Sequence, residues 1–173
     1  MEKPLNLKKL GTEVSPDHAK ETFFKSISVV ERLHQKLHYI LALMLEKTPF
    51  ADVSPVQALL MYNISDHQTT VGELKTRGFY LGTNVTYNLK KLVKAKYVNR
   101  VVSPLDKRSM KVSLTPKGKK VRELVNTFFN KELETILEFC PLEFHDIETS
   151  LHVNETWDQF WALQIQSQDE NIS

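Results

Sequence analysis

Residues 83–96 read Thr83-Asn84-Val85-Thr86-Tyr87-Asn88-Leu89-Lys90-Lys91-Leu92-Val93-Lys94-Ala95-Lys96, and a single helix sorts them into two faces. Val85, Leu89 and Leu92 recur at steps of four and three and make one apolar stripe. Asn84, Tyr87, Asn88, Lys91 and Lys94 fall on the opposite face. No acid stands three or four residues from Lys90, Lys91 or Lys94, so like charges on this helix are uncompensated, a stability cost that an anionic partner would relieve.

The same sign of charge extends on both sides. Between Thr70 and Lys120 there are thirteen Lys or Arg residues against two acids, Glu73 and Asp106, a local +11 in a chain of net charge +2. The rest of the chain is therefore acidic. A positive field confined to one third of a chain attracts a polyanion, and counterions released from phosphates make such binding strong and salt-dependent. The composition points to nucleic acid, beside the plain alternative of a solvated basic surface.

Working outward, two strand-like runs follow the helix, Tyr97 to Val102 and Met110 to Leu114, joined by the turn-forming segment from Ser103 to Arg108. Upstream, Thr70-Val71-Gly72-Glu73 matches a capping box that opens a short helix, which must end before a turn bracketed by Gly78 and Gly82. Ser54-Pro55 is an N-cap followed by a proline at the first helical position, and opens a helix with Val56, Leu59, Leu60 and Ile64. Two short helices, a tight turn between them and a basic hairpin behind them are the order of a winged helix-turn-helix. The second helix fits the major groove and the hairpin can reach the minor groove or backbone.

Long helices flank this lobe. Ser15-Pro16 opens a helix of roughly thirty residues, whose seam of Phe23, Ile27, Val30, Leu37, Leu41 and Met44 has its one gap at His34. A seam this regular packs against other helices, often in a second subunit. Thr115-Pro116 caps a helix running to about Phe139, carrying Val121, Leu124, Val125, Phe128, Phe129, Leu133, Ile136 and Leu137. A last helix begins near Leu142 and carries Phe144, Ile147, Leu151, Trp157, Phe160 and Trp161; the two tryptophans read as core or dimer packing. Gln166 to Ser173 is polar enough to be a loose tail. With 41% hydrophobic residues over 173 positions the chain can bury one core. The predicted fold is mainly α with a small β-hairpin wing, in a single domain spanning residues 1–173, with helical regions over 15–48 and 116–166 around a winged helix-turn-helix lobe at 54–115.

The stretch Asp106-Lys107-Arg108-Ser109-Met110-Lys111-Val112-Ser113-Leu114-Thr115-Pro116-Lys117-Gly118 resembles the wing motif of the MarR family of bacterial winged-helix transcription regulators. Leu92 and Tyr97-Val98-Asn99-Arg100 are similar to the end of that family's recognition helix and its first wing strand. The order of long helix, winged helix and two closing helices covers nearly the whole chain. The resemblance implies that Arg108, with Lys107 and Lys111 beside it, meets the minor groove or its phosphates, and that Asp106 orients the wing through a salt bridge. It also implies that Asn84, Thr86, Tyr87, Asn88 and Lys91 face the major groove, and Thr83, Lys90 and Lys94 beside them are candidate contacts by their own chemistry, since threonine and lysine can bond base or phosphate. The implied assembly is a homodimer whose first and last helices interleave, reading a pseudo-palindromic promoter site in double-stranded DNA with half-sites about 34 to 36 Å apart. A pocket between dimer base and DNA lobe would take a small aromatic or amphipathic effector. One departure is Lys96, where the family commonly has Gly, so the helix must end without a residue that enters the left-handed region freely.

His34, His38, Phe79, Tyr80 and Tyr62 are the candidate lining of such a pocket, although aromatic residues at helical spacing are ordinarily core. Glu31-x-x-His34-x-x-x-His38 supplies only half of a metal site, and both histidines read first as core or interface side chains with satisfied hydrogen bonds. No metal and no cofactor is predicted. Cys140 is the single cysteine, which fits a reducing compartment and excludes a multi-cysteine zinc site. No HExxH, Gly-rich phosphate loop or nucleophile elbow is present, so no enzyme is predicted. No apolar run approaches the ~20 residues needed to cross a bilayer, so no membrane partner is predicted and a cytoplasmic protein is expected.

Overall fold

The computed structural model describes residues 14–64, 69–77, 82–102 and 110–170. Among the described residues six helices and three strands follow in the order α1 (Pro16–Glu46), α2 (Pro55–Asn63), β1 (Thr69–Thr70), α3 (Val71–Arg77), α4 (Gly82–Lys94), β2 (Val98–Val102), β3 (Met110–Leu114), α5 (Pro116–Phe139) and α6 (Phe144–Glu170). The chain divides into two compact units, 1–126 and 127–173.

The predicted caps start their helices. Ser15 Oγ accepts from the His18 N–H at 3.3 Å, and Thr70 and Glu73 exchange bonds of 2.8 and 3.1 Å between side chain and backbone. Ser54 does the same with Gln57, which closes a second capping box. Each satisfies amides that the first helical turn leaves without partners.

In the first unit the core gathers one face from each element: Leu41 and Leu45 of α1, Leu60 and Met61 of α2, Leu74 of α3, Val85, Leu89 and Leu92 of α4, Val98 and Val112 of the sheet, and Val121 and Val125 of α5. Full burial of such a side chain stabilises by roughly 1.5–3 kcal/mol. The predicted α4 stripe is thus the buried one. The α1 seam is not uniformly so: Phe23 and Val30 are exposed, Ile27 and Leu37 are half-buried, and burial becomes complete only at Leu41.

The wing strands pair antiparallel with Val98 opposite Leu114 and Arg100 opposite Val112. A third strand, β1, adds to the outer side of β3 with Thr69 opposite Val112 and gives the order β1-β3-β2. Two residues are too few to display an alternating pattern, so this strand had no signature in the sequence.

The second unit holds the remainder of α5 and α6. Leu133, Ile136, Leu137 and Phe139 on α5, and Leu151, Phe160, Trp161 and Leu163 on α6, are exposed, while Ile147 and Trp157 are half-buried. The loose tail expected from Gln166 is corrected: α6 continues to Glu170. Gln166, Ser167 and Gln168 tolerate a helix well enough once it has been nucleated upstream.

Candidate nucleic-acid interface

How α4 ends decides where the wing begins. The amide of Tyr97 donates to the Leu92 carbonyl at 2.9 Å and that of Lys96 to the Val93 carbonyl at 3.1 Å, the paired bonds of a Schellman motif. Lys96 occupies its left-handed position with φ 60°, the one non-glycine residue with positive φ among those described. The chain therefore resolves its departure from the family pattern by forcing lysine into a conformation that costs an L-residue roughly 1–2 kcal/mol.

The residue after it is an anchor. Tyr97 is buried, its hydroxyl donates to Asp52 Oδ1 at 2.8 Å, and Lys117 Nζ lies 3.8 Å from its ring centroid. Burial, and then the hydrogen bond and charge of Asp52, push its phenol well above the usual tyrosine range. The Thr115 N–H donates to the Tyr97 carbonyl at 3.0 Å, and Thr115 Oγ1 accepts from the Gly118 N–H at 3.1 Å. One residue thus joins α4, β2, the loop before α2 and the start of α5.

With Val85, Leu89 and Leu92 turned inward, 100° per residue leaves Tyr87, Lys90 and Lys94 as the outermost strip of α4. Tyr87, Lys90, Lys91 and Lys94 are exposed, as is Asn84, and Lys91 Nζ sits 4.5 Å from the Tyr87 ring centroid. Thr86 and Asn88 are half-buried on the two flanks. Only the backbone of Thr83 is described. Lys111 lies half-buried on β3 opposite Thr70 and Val101. Asp106, Lys107, Arg108, Phe79 and Tyr80 lie outside the described residues.

Each flank of α4 borders a hollow. On the wing side a small cleft of about 150 Å³ lies between Thr86, Leu89, Lys90 and Val93 of α4 and Arg100 and Val112 of the sheet. On the other side a cavity of about 700 Å³ brings Asn84, Tyr87, Asn88 and Lys91 together with His34 and His38 of α1 and with Asp52 and Gln57. Two of the candidate pocket residues are therefore brought to one site, and exposed Tyr62 is not among those lining it.

The ring centroids of His34 and His38 are 4.2 Å apart, and Nε2 of His38 is buried with no hydrogen-bond partner among the described residues. Burial, then the neighbouring His34, lowers the His38 pKa below its usual 6.5. Among the described residues no group of three or more His, Cys, Asp and Glu could hold a metal, and no helix is long and apolar enough to cross a membrane.

Asp52, Gln57 and Tyr97 are site residues to which the sequence attached no site role. Ser54-x-x-Gln57 repeats the spacing of Thr70-x-x-Glu73, and that repetition is the signal that distinguishes Gln57.

Residues 53–118 match the family described as "Winged helix DNA-binding domain". A curated protein, the "Exopolysaccharide II synthesis transcriptional activator ExpG" of Rhizobium meliloti (strain 1021), is 35% identical over 105 residues, which cover 61% of this chain and 54% of the relative. The chain spans about half the length of that relative. Among solved structures, Streptococcus pneumoniae FabT in complex with DNA superposes with a TM-score of 0.64 at 20% identity, covering 81% of this chain and 97% of FabT. Staphylococcus aureus MarR in complex with salicylate and kanamycin gives a TM-score of 0.64 at 23% identity, covering 83% of this chain and 93% of that one. Residues 53–118 thus match a winged helix DNA-binding domain, and the fold of the chain is similar to that of FabT and of MarR.

Proposed function

We propose that the chain is a transcription regulator that binds a pseudo-palindromic site in duplex DNA as a homodimer and releases it in response to a small aromatic or amphipathic effector. The observation that carries the reading is the construction of α4. Its whole apolar stripe is buried, which leaves Tyr87, Lys90, Lys91 and Lys94 outward on a helix without a single acid. Such a helix suits the major groove, where lysine can contact guanine or phosphate. Asn84 and Thr86 flank that strip, and Thr83, Lys111 and the wing residues Lys107 and Arg108, oriented by Asp106, complete the proposed contact surface.

Exposed apolar side chains support the dimer. Phe24, Leu33 and Ile40 of α1, and separately Leu137, Phe160 and Trp161 of α5 and α6, remain solvent-facing in the single chain. Large apolar side chains left exposed in such number are what an association face would cover. The cavity beside His34 and His38 supports the effector, since it has room for a small molecule and shares Tyr87 and Lys91 with the DNA-facing strip. An occupant there shifts the DNA equilibrium only by its differential affinity for the two states. The same reading makes it a cytoplasmic regulator and not an enzyme.

The test is a titration of the purified protein against genomic fragments, followed by footprinting of those it retains. The expected result is a protected symmetric site, affinity that falls steeply with salt, and a dimer in analytical ultracentrifugation. Equal affinity for scrambled duplexes would reduce the protein to a non-specific binder, and a monomer would remove the palindrome.

A further inference from the structure

Gln57 connects the N-terminus of α2 to the recognition helix through a chain of hydrogen bonds with a defined polarity. Its side-chain Oε1 accepts from the Ser54 N–H at 3.2 Å. Because that partner is a backbone donor, the oxygen end of the amide must face it, and Nε2 is left to point at α4. There it donates to Asn88 Oδ1 at 3.3 Å, across 31 positions of sequence. Asn88 then presents its nitrogen to its own helix, where Nδ2 donates to the Asn84 carbonyl at 2.9 Å. Reversing either amide would set donor against donor and acceptor against acceptor, so neither is free to flip. Both side chains are half-buried, and the bond between them is partly sheltered from water.

Asparagine reads adenine by offering its amide oxygen and nitrogen together to N7 and N6 of the base. In Asn88 one acceptor site of Oδ1 and one N–H of Nδ2 are already engaged, which fixes the orientation of the amide, and the residue stands on the α2 flank of α4, away from the strip of Tyr87, Lys90 and Lys94. We propose that Gln57 is a positioning residue for base recognition: it withholds the Asn88 amide from DNA and so sets which side chains of α4 discriminate bases. The proposal rests on the DNA-binding reading above and narrows it, since Asn88 then supports the recognition helix and Asn84 is the asparagine left to read.

The experiment is selection of binding sites from a random duplex pool by the full chain, its Asn88→Ala, its Gln57→Ala and the double variant. Asn88→Ala should select the parent's consensus. Gln57→Ala should acquire a preference for adenine at one position of each half-site, on the order of tenfold, and the double variant should lose it again. All four should keep the same salt slope, because no phosphate contact moves. Loss of a base preference in Asn88→Ala alone would make Asn88 a direct reader and overturn the proposal, as would an unaltered consensus in Gln57→Ala. Urea midpoints of the same four proteins test the bond without DNA: non-additive shifts are expected, and additive ones overturn it. Should Gln57→Ala fail to fold, Gln57→Glu retains the acceptor for Ser54 but loses the donor to Asn88 and takes its place. A parent that selects no sequence would refute the regulatory reading, while the midpoints would still decide whether Gln57 and Asn88 are coupled.

Discussion

The carbonyl oxygen of Tyr97 occupies the space that a side chain at residue 118 would need: a Cβ on Gly118 would lie 2.2 Å from it. Real Cβ atoms do not approach an oxygen so closely, and the obstacle is backbone, pinned by two bonds to Thr115. The glycine in Leu114-Thr115-Pro116-Lys117-Gly118 is thus required by close approach of β2 to the first turn of α5, which has an ordinary helical backbone. Gly118→Ala should destabilise the lobe by at least the ~1–3 kcal/mol typical of overpacking. Urea unfolding followed by circular dichroism measures this, and an unchanged midpoint would show that the strand and helix part easily.

Lys96 makes the opposite prediction. Its φ of 60° is unfavourable for lysine and free for glycine, while glycine gains more entropy on unfolding. The first effect is the larger, so Lys96→Gly should raise stability by about 0.5–1 kcal/mol, and Lys96→Val should lower it because a β-branched residue tolerates this region least. Thermal melts of the two variants should move in opposite directions.

His38 makes stability depend on pH. Its folded pKa lies below the usual 6.5 because burial and His34 disfavour the charged ring, so the unfolded chain takes up its proton first as pH falls. The stability that neutral His38 allows is complete above pH 6.5 and declines from there down to the folded pKa, below which the loss levels off. His38→Phe should flatten this part of the profile in chemical unfolding at a series of pH values. A parent whose stability does not change between pH 7 and 5 would contradict the isolation of its Nε2.

Lys91 touches both the cavity and the outward face of α4. If it contacts phosphate, Lys91→Ala should weaken binding by a similar factor for operator and scrambled duplex and lower the slope of log affinity against log salt by about one. Fluorescence anisotropy at four salt concentrations distinguishes this from a base contact, which would penalise the operator alone.

Local signals are legible in the chain itself. Ser15-Pro16, Ser54-Pro55, Thr70 with Glu73 and Thr115-Pro116 each begin a helix where the capping chemistry puts it, because a cap satisfies amides within three residues of itself. The stripe of Val85, Leu89 and Leu92 is legible for the same reason: helical periodicity is a property of neighbours, and from it follow the cationic face and the winged-helix order. What needed the tertiary structure were relationships between distant segments. The two-residue strand at Thr69 forms only because β3 offers it an edge. The left-handed turn at Lys96 is held against its local preference by Leu92, Val93 and the anchoring of Tyr97. Gln57 meets Asn88, and His38 Nε2 is buried with no partner among the described residues, only where α1, α2 and α4 converge. Sequence alone thus determined the elements and the sign of the charge they carry, since both are local. Packing decided which polar side chains remain free for a ligand, because burial and hydrogen bonding across the fold are not written in any one segment.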